Sequence, residues 1–466
     1  MKRTIIPTNS ALAGARAGRF PQSPRIDVRP GWSITGWSIK SLRAALLLLL
    51  GAWLALLPTQ RASAMPEFAR RYSLTCAACH SAFPRLNKFG EHFAKSNMRL
   101  PNWMETADQL GDERLALPDH VPLAIRAQAY AQARQGRAID PITGTSQYAA
   151  TDFQSPYLLK LLSSAPLSKD ITYYFYAIMA EKGGNGEIVV EDAWFRHANI
   201  FGSGIGMLLG QFSLSDSMFP REVRLPFQDY MVYRLAGITY DRGVLFDRDV
   251  GPLAINLGFT NGNGINDNLN LNGPGFARPD RMFDNDSAKT AFAHLGTDIG
   301  PVGVGLFAAS GKQRGATGPA GMGKSTRSTD KRIVGLDASG DIGSTTHWYA
   351  QYLWNTWDGF LDLAPTRDYR WSGGFAGIDW IPNDRWALSG LYNRATAGDL
   401  AHTGTIYEGI AINSLSLTAS YYFMRNVKGI IEVNVDFLGK TRPTGPYFTG
   451  HLSSENYILF GFDTAF

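Results

Sequence analysis

Cysteine is nearly absent from this chain: two residues in 466, Cys76 and Cys79. That excludes a disulfide-stapled fold and leaves no second thiol pair for a structural zinc site. Long apolar runs are also lacking. Only residues 44–57 (AALLLLLGAWLALL) stand out, and a membrane-spanning helix needs ~20 residues. Neither sign of charge dominates. The 45 Lys and Arg face 40 Asp and Glu. Residues 1–64 hold nine of the bases and one of the acids, so residues 65–466 carry 36 bases against 39 acids. A nucleic-acid partner is therefore not expected.

The apolar run reads as part of an export signal. Lys40 and Arg43 precede it, and Ala62-Ser63-Ala64 follows as an A-x-A cleavage site. Residues 1–64 are expected to be removed, with Met65 the mature start; an uncleaved anchor is the alternative. An exported chain with no further apolar span is either soluble or crosses a membrane as a β-barrel.

From about residue 119 to 466 the governing pattern is alternation with period two. Ile125, Ala127, Ala129 and Ala131 alternate with Arg126, Gln128, Tyr130 and Gln132. Trp348, Ala350, Tyr352 and Trp354 form a second apolar face, and Leu415, Leu417, Ala419, Tyr421 and Phe423 a third. Trp354, Trp357, Trp371, Trp380 and Trp386 sit where interfacial girdles would place them. Polar stretches, among them 213–229, 261–288 and 310–331, alternate with tighter turns such as 241–252, DIGPVG, IPNDR and MRNVKG. Eight long loops and seven short turns predict an all-β, 16-stranded transmembrane barrel of porin type, with both termini on the periplasmic side. The terminal Phe466 suits the last strand of an outer-membrane barrel. A soluble β-sandwich or propeller is the competing architecture.

Both cysteines fall in Thr75-Cys76-Ala77-Ala78-Cys79-His80. C-x-x-C-H is the attachment signature of haem c: two thiols add to the vinyl groups and the histidine ligates the iron. A zinc half-site lacks further ligands, and a redox pair lacks its βαβ setting. Phe83, Leu86, Phe89 and Phe93 predict one short helix against the porphyrin, with Pro84 as its first residue and Lys88 and Glu91 on its wet side. A segment of residues 65–118 is too small to enclose a haem, so the barrel mouth or lumen is expected to complete the pocket. His92 or Met98 is the candidate second axial ligand, with Met104 also in reach; His120 belongs to the start of the first strand.

MPEFARRYSLTCAACHSAFPRLNKFGEHF followed by a porin-like C-terminus resembles the outer-membrane monohaem cytochrome–porin fusions. Their best-known members are iron-oxidising cytochromes. The resemblance is tight over residues 65–97 and looser over VEDAWFRHANI, LLGQFSLSD, FTNGNGIND and YYFMRNVKGIIE. It implies Cys76 and Cys79 as haem tethers and His80 as axial ligand. It further implies electron transfer across the outer membrane of a Gram-negative bacterium, from an external donor to a periplasmic cytochrome. For a subset the donor is Fe(II), which would be an iron:cytochrome c oxidoreductase activity. A solute porin with a haem plug or sensor, and a soluble exported haem enzyme, are the other functions in play.

Two further patterns are weaker. GPAGMGKS (318–325) fits the phosphate-loop spacing but lies in a Gly/Ser/Thr stretch with no helix expected after it. Asn268, Asn270 and Asn272 are spaced like a calcium loop, yet Pro279 stands where a bidentate Glu is needed. Asp267, Asp284 and Asp286 read as hydrated loop acids.

Overall fold

The computed structural model describes residues 67–135, 150–181, 188–219, 225–226, 231–262, 289–318, 321, 323–438, 442–444, 447–449 and 456–466, apart from 81 and 84. The expected leader, Pro84 and residues 263–288, which hold Asn268, Asn270 and Asn272 and the acids Asp267, Asp284 and Asp286, lie outside these residues.

Among the described residues four short helices come first: α1 (Glu67–Tyr72), α2 (Cys76–Cys79), α3 (Lys88–Lys95) and α4 (Thr106–Leu110). The strands follow: β1 (Ala124–Gln135), β2 (Thr151–Pro166), β3 (Ile171–Glu181), β4 (Val189–His197), β5 (Gly206–Ser213), and, after helix α5 (Met231–Ala236), β6 (Tyr240–Val250), β7 (Leu253–Thr260) and β8 (Thr290–Ile299). Next come β9 (Val302–Thr317), β10 (Gly323–Ile342), β11 (Thr346–Asp358), β12 (Asp368–Asn383), β13 (Trp386–Thr396), β14 (Ile412–Met424) and β15 (Val427–Asp436). β16 (Arg442–Thr444) and β17 (Tyr447–Thr449) form a separate small hairpin before β18 (Asn456–Ala465).

Sixteen of these strands close into one antiparallel barrel in which each pairs with its neighbours in sequence. β1 zips to β18 from Arg126↔Ala465 to Gln135↔Asn456, and β18 in turn pairs with β15. The expected all-β barrel of sixteen strands is what the chain forms.

Side-chain polarity is inverted relative to a soluble sandwich. On β14, Ser414, Ser416, Thr418 and Ser420 are buried inward while Leu417 is exposed on the outside. On β11, Gln351 and Asn355 point inward while Tyr352 and Trp354 face out. Leu336, Ile378, Trp380, Phe460 and Phe462 continue the exposed apolar exterior, which suits hydrocarbon.

Three details depart from the sequence expectation. Residues 310–331 are mostly strand: β9 and β10 pair as far as Gly323↔Thr317, and Lys324 and Ser325 of the phosphate-loop-like stretch lie within β10. The 241–252 turn shrinks to residues 251–252, because β6 runs on to Val250. Trp357 and Trp371 are buried, unlike the exposed Trp354 and Trp380. Residues an odd number apart in a strand face opposite ways, so these four tryptophans could not share one girdle.

The connection between β5 and β6 also turns inward. Its Met218, Phe219, Leu225, Met231, Tyr233 and Leu235 are buried. Phe219 packs on Tyr349 and Phe375 with ring centroids 6.1 and 6.2 Å apart, and Tyr233 lies 5.2 Å from Phe375. Apolar side chains within 213–229 are better removed from water, and the opposite wall at β11 and β12 receives them.

Candidate functional site

The segment 67–98 sits in the barrel mouth ringed by the short turns. Its contacts reach most of the circumference. Lys88 pairs with Asp341 on β10 at 3.7 Å. Asn97 meets Arg196 on β4 and the Lys169 carbonyl in the β2–β3 turn. Lys428 on β15 donates to the Phe83 carbonyl at 3.4 Å. Arg85 grips Asp379 on β12 with two nitrogens, the Nε bond being 2.6 Å, and Ser389 on β13 accepts from its Nη2 at 3.1 Å.

Within the segment, α2 is a single turn, so Cys76 and Cys79 at i and i+3 share a face. Neither is in a disulfide. Burial pushes the Cys76 thiol up and, with the charge of Cys76 adding to it, pushes Cys79 up to about 11. Both thiols are therefore protonated at neutral pH. His80 leaves the helix in an extended conformation. Its Nδ1 lies 3.2 Å from the Arg85 carbonyl, which can only accept, so Nδ1 is the donor; in a neutral ring that puts the lone pair on Nε2, the tautomer a metal-ligating imidazole needs.

The LNKFG stretch holds this geometry. Leu86 forms a β-bridge with His80. Asn87 caps α3 by accepting from the Gly90 N–H at 2.9 Å, and its Nδ2 donates to the Ala78 carbonyl at 3.0 Å. The cap places the helix start at Lys88, later than the Phe83–Phe93 spacing suggested. Gly90 is where α3 touches the cysteine turn: a Cβ there would overlap the Cys79 carbonyl oxygen.

These residues open onto a cavity of about 1370 Å³ that includes open solvent. Cys76, Cys79, His80 and Leu86 line one part; Phe93 and Met98 another; Ile125, Arg126, Leu162, Tyr174 and Tyr176 of the barrel complete it. Asp216 of the inward β5–β6 connection also lines it. Arg126 is held by Asp463 through bonds of 3.0 and 2.8 Å, and its guanidinium lies 4.5 Å from the Phe83 ring centre.

The sequence candidates separate clearly in space. Met98 is 4% exposed and lines the cavity, and Ser164 Oγ donates to its Sδ at 2.9 Å. His92 is exposed, lies off the cavity wall and has Ser96 Oγ 3.4 Å from its Nε2. Met104 is 61% exposed. His120 precedes β1 and bonds through Nε2 to the buried Glu67. Arg126, Ser164, Arg196 and Asp379 were not singled out in the sequence. Alternation places them on lumen-facing positions, but no local signal says which of those meet the segment.

No family model and no curated protein sequence matches the chain. Solved structures do. The outer membrane channel DcaP of Acinetobacter baumannii superimposes with a TM-score of 0.51 at 11% identity, over 74% of this chain and 97% of that one. The barrel has a porin fold. An anion-selective porin from Comamonas acidovorans (TM-score 0.49, 12% identity, 74% and 99% coverage) and OmpT of Vibrio cholerae in its trimer form (0.49, 12%, 74% and 99%) are similar in the same way.

The site fits a haem c. Two thiols one helical turn apart, a histidine with the right tautomer and a mostly apolar cavity meet the demands of covalent attachment and burial. Arg126, paired with Asp463, is the basic residue on a cavity wall that also carries Glu67, Asp192 and Asp216.

Proposed function

We propose that this chain is an outer-membrane electron-transfer protein of the cytochrome–porin type, with one haem c tethered to Cys76 and Cys79 and ligated by His80. The observation that carries the reading is the opening of C-x-x-C-H onto a cavity closed jointly by the segment and the barrel. When bound, the group supplies reversible one-electron exchange. The chain's residues tether it, orient His80 through the Arg85 carbonyl, and shield it behind Phe93, Leu162 and Tyr174 and Tyr176 of β3. Outer-membrane barrels keep short turns on the periplasmic side. That orientation puts the site within reach of a soluble periplasmic electron carrier. The apolar band of such a barrel is ~25 Å tall and one haem does not span it, so an extracellular donor such as Fe(II) has to enter the lumen from the long-loop side to reach the site.

The porin fold by itself favours a second reading, a solute porin whose haem segment is a plug or sensor. One experiment separates the two. Ferrous iron is added to intact cells carrying the protein, and the reduced-minus-oxidised haem spectrum is followed. Prompt reduction that is lost in His80→Ala supports the electron conduit. A haem that stays oxidised under external iron but is reduced by a periplasmic donor sinks the iron-oxidising reading and leaves the plugged porin.

A further inference from the structure

We infer that Met98 is the second axial ligand and that the barrel wall sets its position, with Arg196 and Ser164 as positioning residues. The inference rests on the haem reading above and goes beyond it, because it makes the ligand set a product of barrel assembly.

The backbone gives the first reason. After α3 ends at Lys95, Asn97 and Met98 take φ values of +56° and +57°. Asparagine tolerates the left-handed region; methionine, with its long side chain, rarely enters it. Two such residues in succession persist only where the surroundings hold them. The outcome is directional: the chain reverses, the Met98 N–H returns to the Phe93 carbonyl at 2.9 Å, and Met98 lines the cavity that His80 lines.

The surroundings that hold the turn belong mainly to the barrel. Arg196 on β4 donates from Nη1 to Asn97 Oδ1 at 2.6 Å. Its other two nitrogens fork onto Asp247 of β6, at 3.3 Å from Nε and 2.7 Å from Nη2, so the guanidinium cannot swing away without breaking an ion pair. Asn97 Nδ2 also donates to the Lys169 carbonyl at 3.4 Å. Ser164 on β2 reaches Met98 Sδ itself at 2.9 Å and has the Tyr173 carbonyl at 2.7 Å as its alternative acceptor. A hydroxyl has one proton, so it serves one of these at a time. A thioether sulfur keeps a second lone pair when one is given to iron, so Ser164 can still donate to a coordinated Met98. That bond withdraws electron density from the sulfur and favours the ferrous state.

The chemistry is self-consistent. Thioether is a soft ligand suited to haem iron, and a His/Met pair raises the potential. His92, the other candidate, is off the cavity wall. The remaining groups able to ligate from the cavity wall are the Tyr174, Tyr176 and Tyr240 phenols and the Glu67, Asp192 and Asp216 carboxylates. Each would give a high-spin or low-potential centre with a different spectrum.

The test uses the full-length haem-loaded protein in detergent. Three readouts are needed: covalent haem content by pyridine haemochrome, the long-wavelength ferric band that marks methionine–iron bonding, and the midpoint potential. Wild type should show the band. Met98→Leu should lose it and lower the potential while keeping covalent haem, and Met98→His should regain a low-spin spectrum at low potential. His92→Ala should change neither readout. Asn97→Gly, which keeps the left-handed turn but drops the Arg196 contact, and Arg196→Gln, which breaks the same contact from the wall, should both weaken the band. Ser164→Ala should keep the band and lower the potential. Heat-modifiable gel migration confirms a closed barrel for each variant. A Met98→Leu protein with band and potential unchanged overturns the ligand. Loss in Met98→Leu together with wild-type behaviour of Asn97→Gly, Arg196→Gln and Ser164→Ala overturns the control by the wall. Absence of covalent haem from wild type defeats the haem reading itself and is seen separately in the haemochrome.

Discussion

Arg85 and Asp379 stand 294 residues apart in the chain and share a two-pronged ion pair inside the barrel, with side chains 4% and 0% exposed. Ser389 donates to the same carboxylate at 2.7 Å, and the guanidinium lies 5.2 Å from the centre of the Tyr349 ring. Burial alone would weaken the guanidinium's hold on its proton, but the facing carboxylate outweighs it and raises the pKa of Arg85. A charge this deep is tolerable only with its partner. Asp379→Asn should therefore cost about 3–5 kcal/mol of docking free energy. The barrel strands do not depend on the pair. Limited proteolysis should cut within residues 67–98 of the variant while the barrel keeps its heat-modifiable migration. A segment as resistant as in wild type would show that Arg85 does not fasten it.

Gly90 makes a sharper test because two effects oppose each other. Alanine in a helix interior is favoured over glycine by roughly 1 kcal/mol. At Gly90 its Cβ would overlap the Cys79 carbonyl oxygen and press on the Leu86 side chain. The clash is with backbone and cannot be relieved by a rotamer change, so it wins. Gly90→Ala should lower covalent haem content per barrel, measured by pyridine haemochrome. An unchanged content would mean that α3 and the cysteine turn can separate without harm to the site.

Asn87 holds the same two elements from its other end. Removing its side chain deletes the cap on Gly90 and the bond to the Ala78 carbonyl together. Asn87→Ala should cost about 1–2 kcal/mol. Asn87→Ser, which can still cap, should lose less. Differential scanning calorimetry of the haem-loaded protein would register the order.

The sixteen strands and the faces of their residues could be read directly, because period two is simple and the solvent on each side is different. Ser414 to Ser420 inward and Leu417 outward follow from alternation alone. Strand ends were harder. Gly, Ser and Thr in 310–331 resemble a loop, yet β9 and β10 pair across most of it. The inward β5–β6 connection carries its own signal: Met218, Phe219 and Leu225 are too apolar for a solvated loop. At the site, Cys76, Cys79 and His80 declare themselves by spacing. Met98 could be distinguished from His92 only in three dimensions, because Arg196, Asp247 and Ser164 lie far along the chain and decide where the turn points.

Conductance follows from the same wall contacts. The segment is fastened on β15 through Phe83, on β4 through Asn97, on β10 through Lys88 and on β12 through Arg85. Three of these fastenings, at Phe83, Asn97 and Arg85, join the segment to wall side chains that are largely withdrawn from water, so releasing one should leave the others in place. Wild-type protein in planar bilayers should therefore show small, infrequent steps for a barrel of sixteen strands. Asp379→Asn alone should add only brief, infrequent larger steps, the transient releases that proteolysis samples. Combined with Arg196→Gln, it frees two faces, and long-lived larger steps should follow. The haem's redox state should leave the wild-type steps unaltered, since the fastenings are made by protein side chains and not by the cofactor. Wide, steady conductance in wild type would show that ions pass around the segment, and the mouth would then be a channel lining and not a closure.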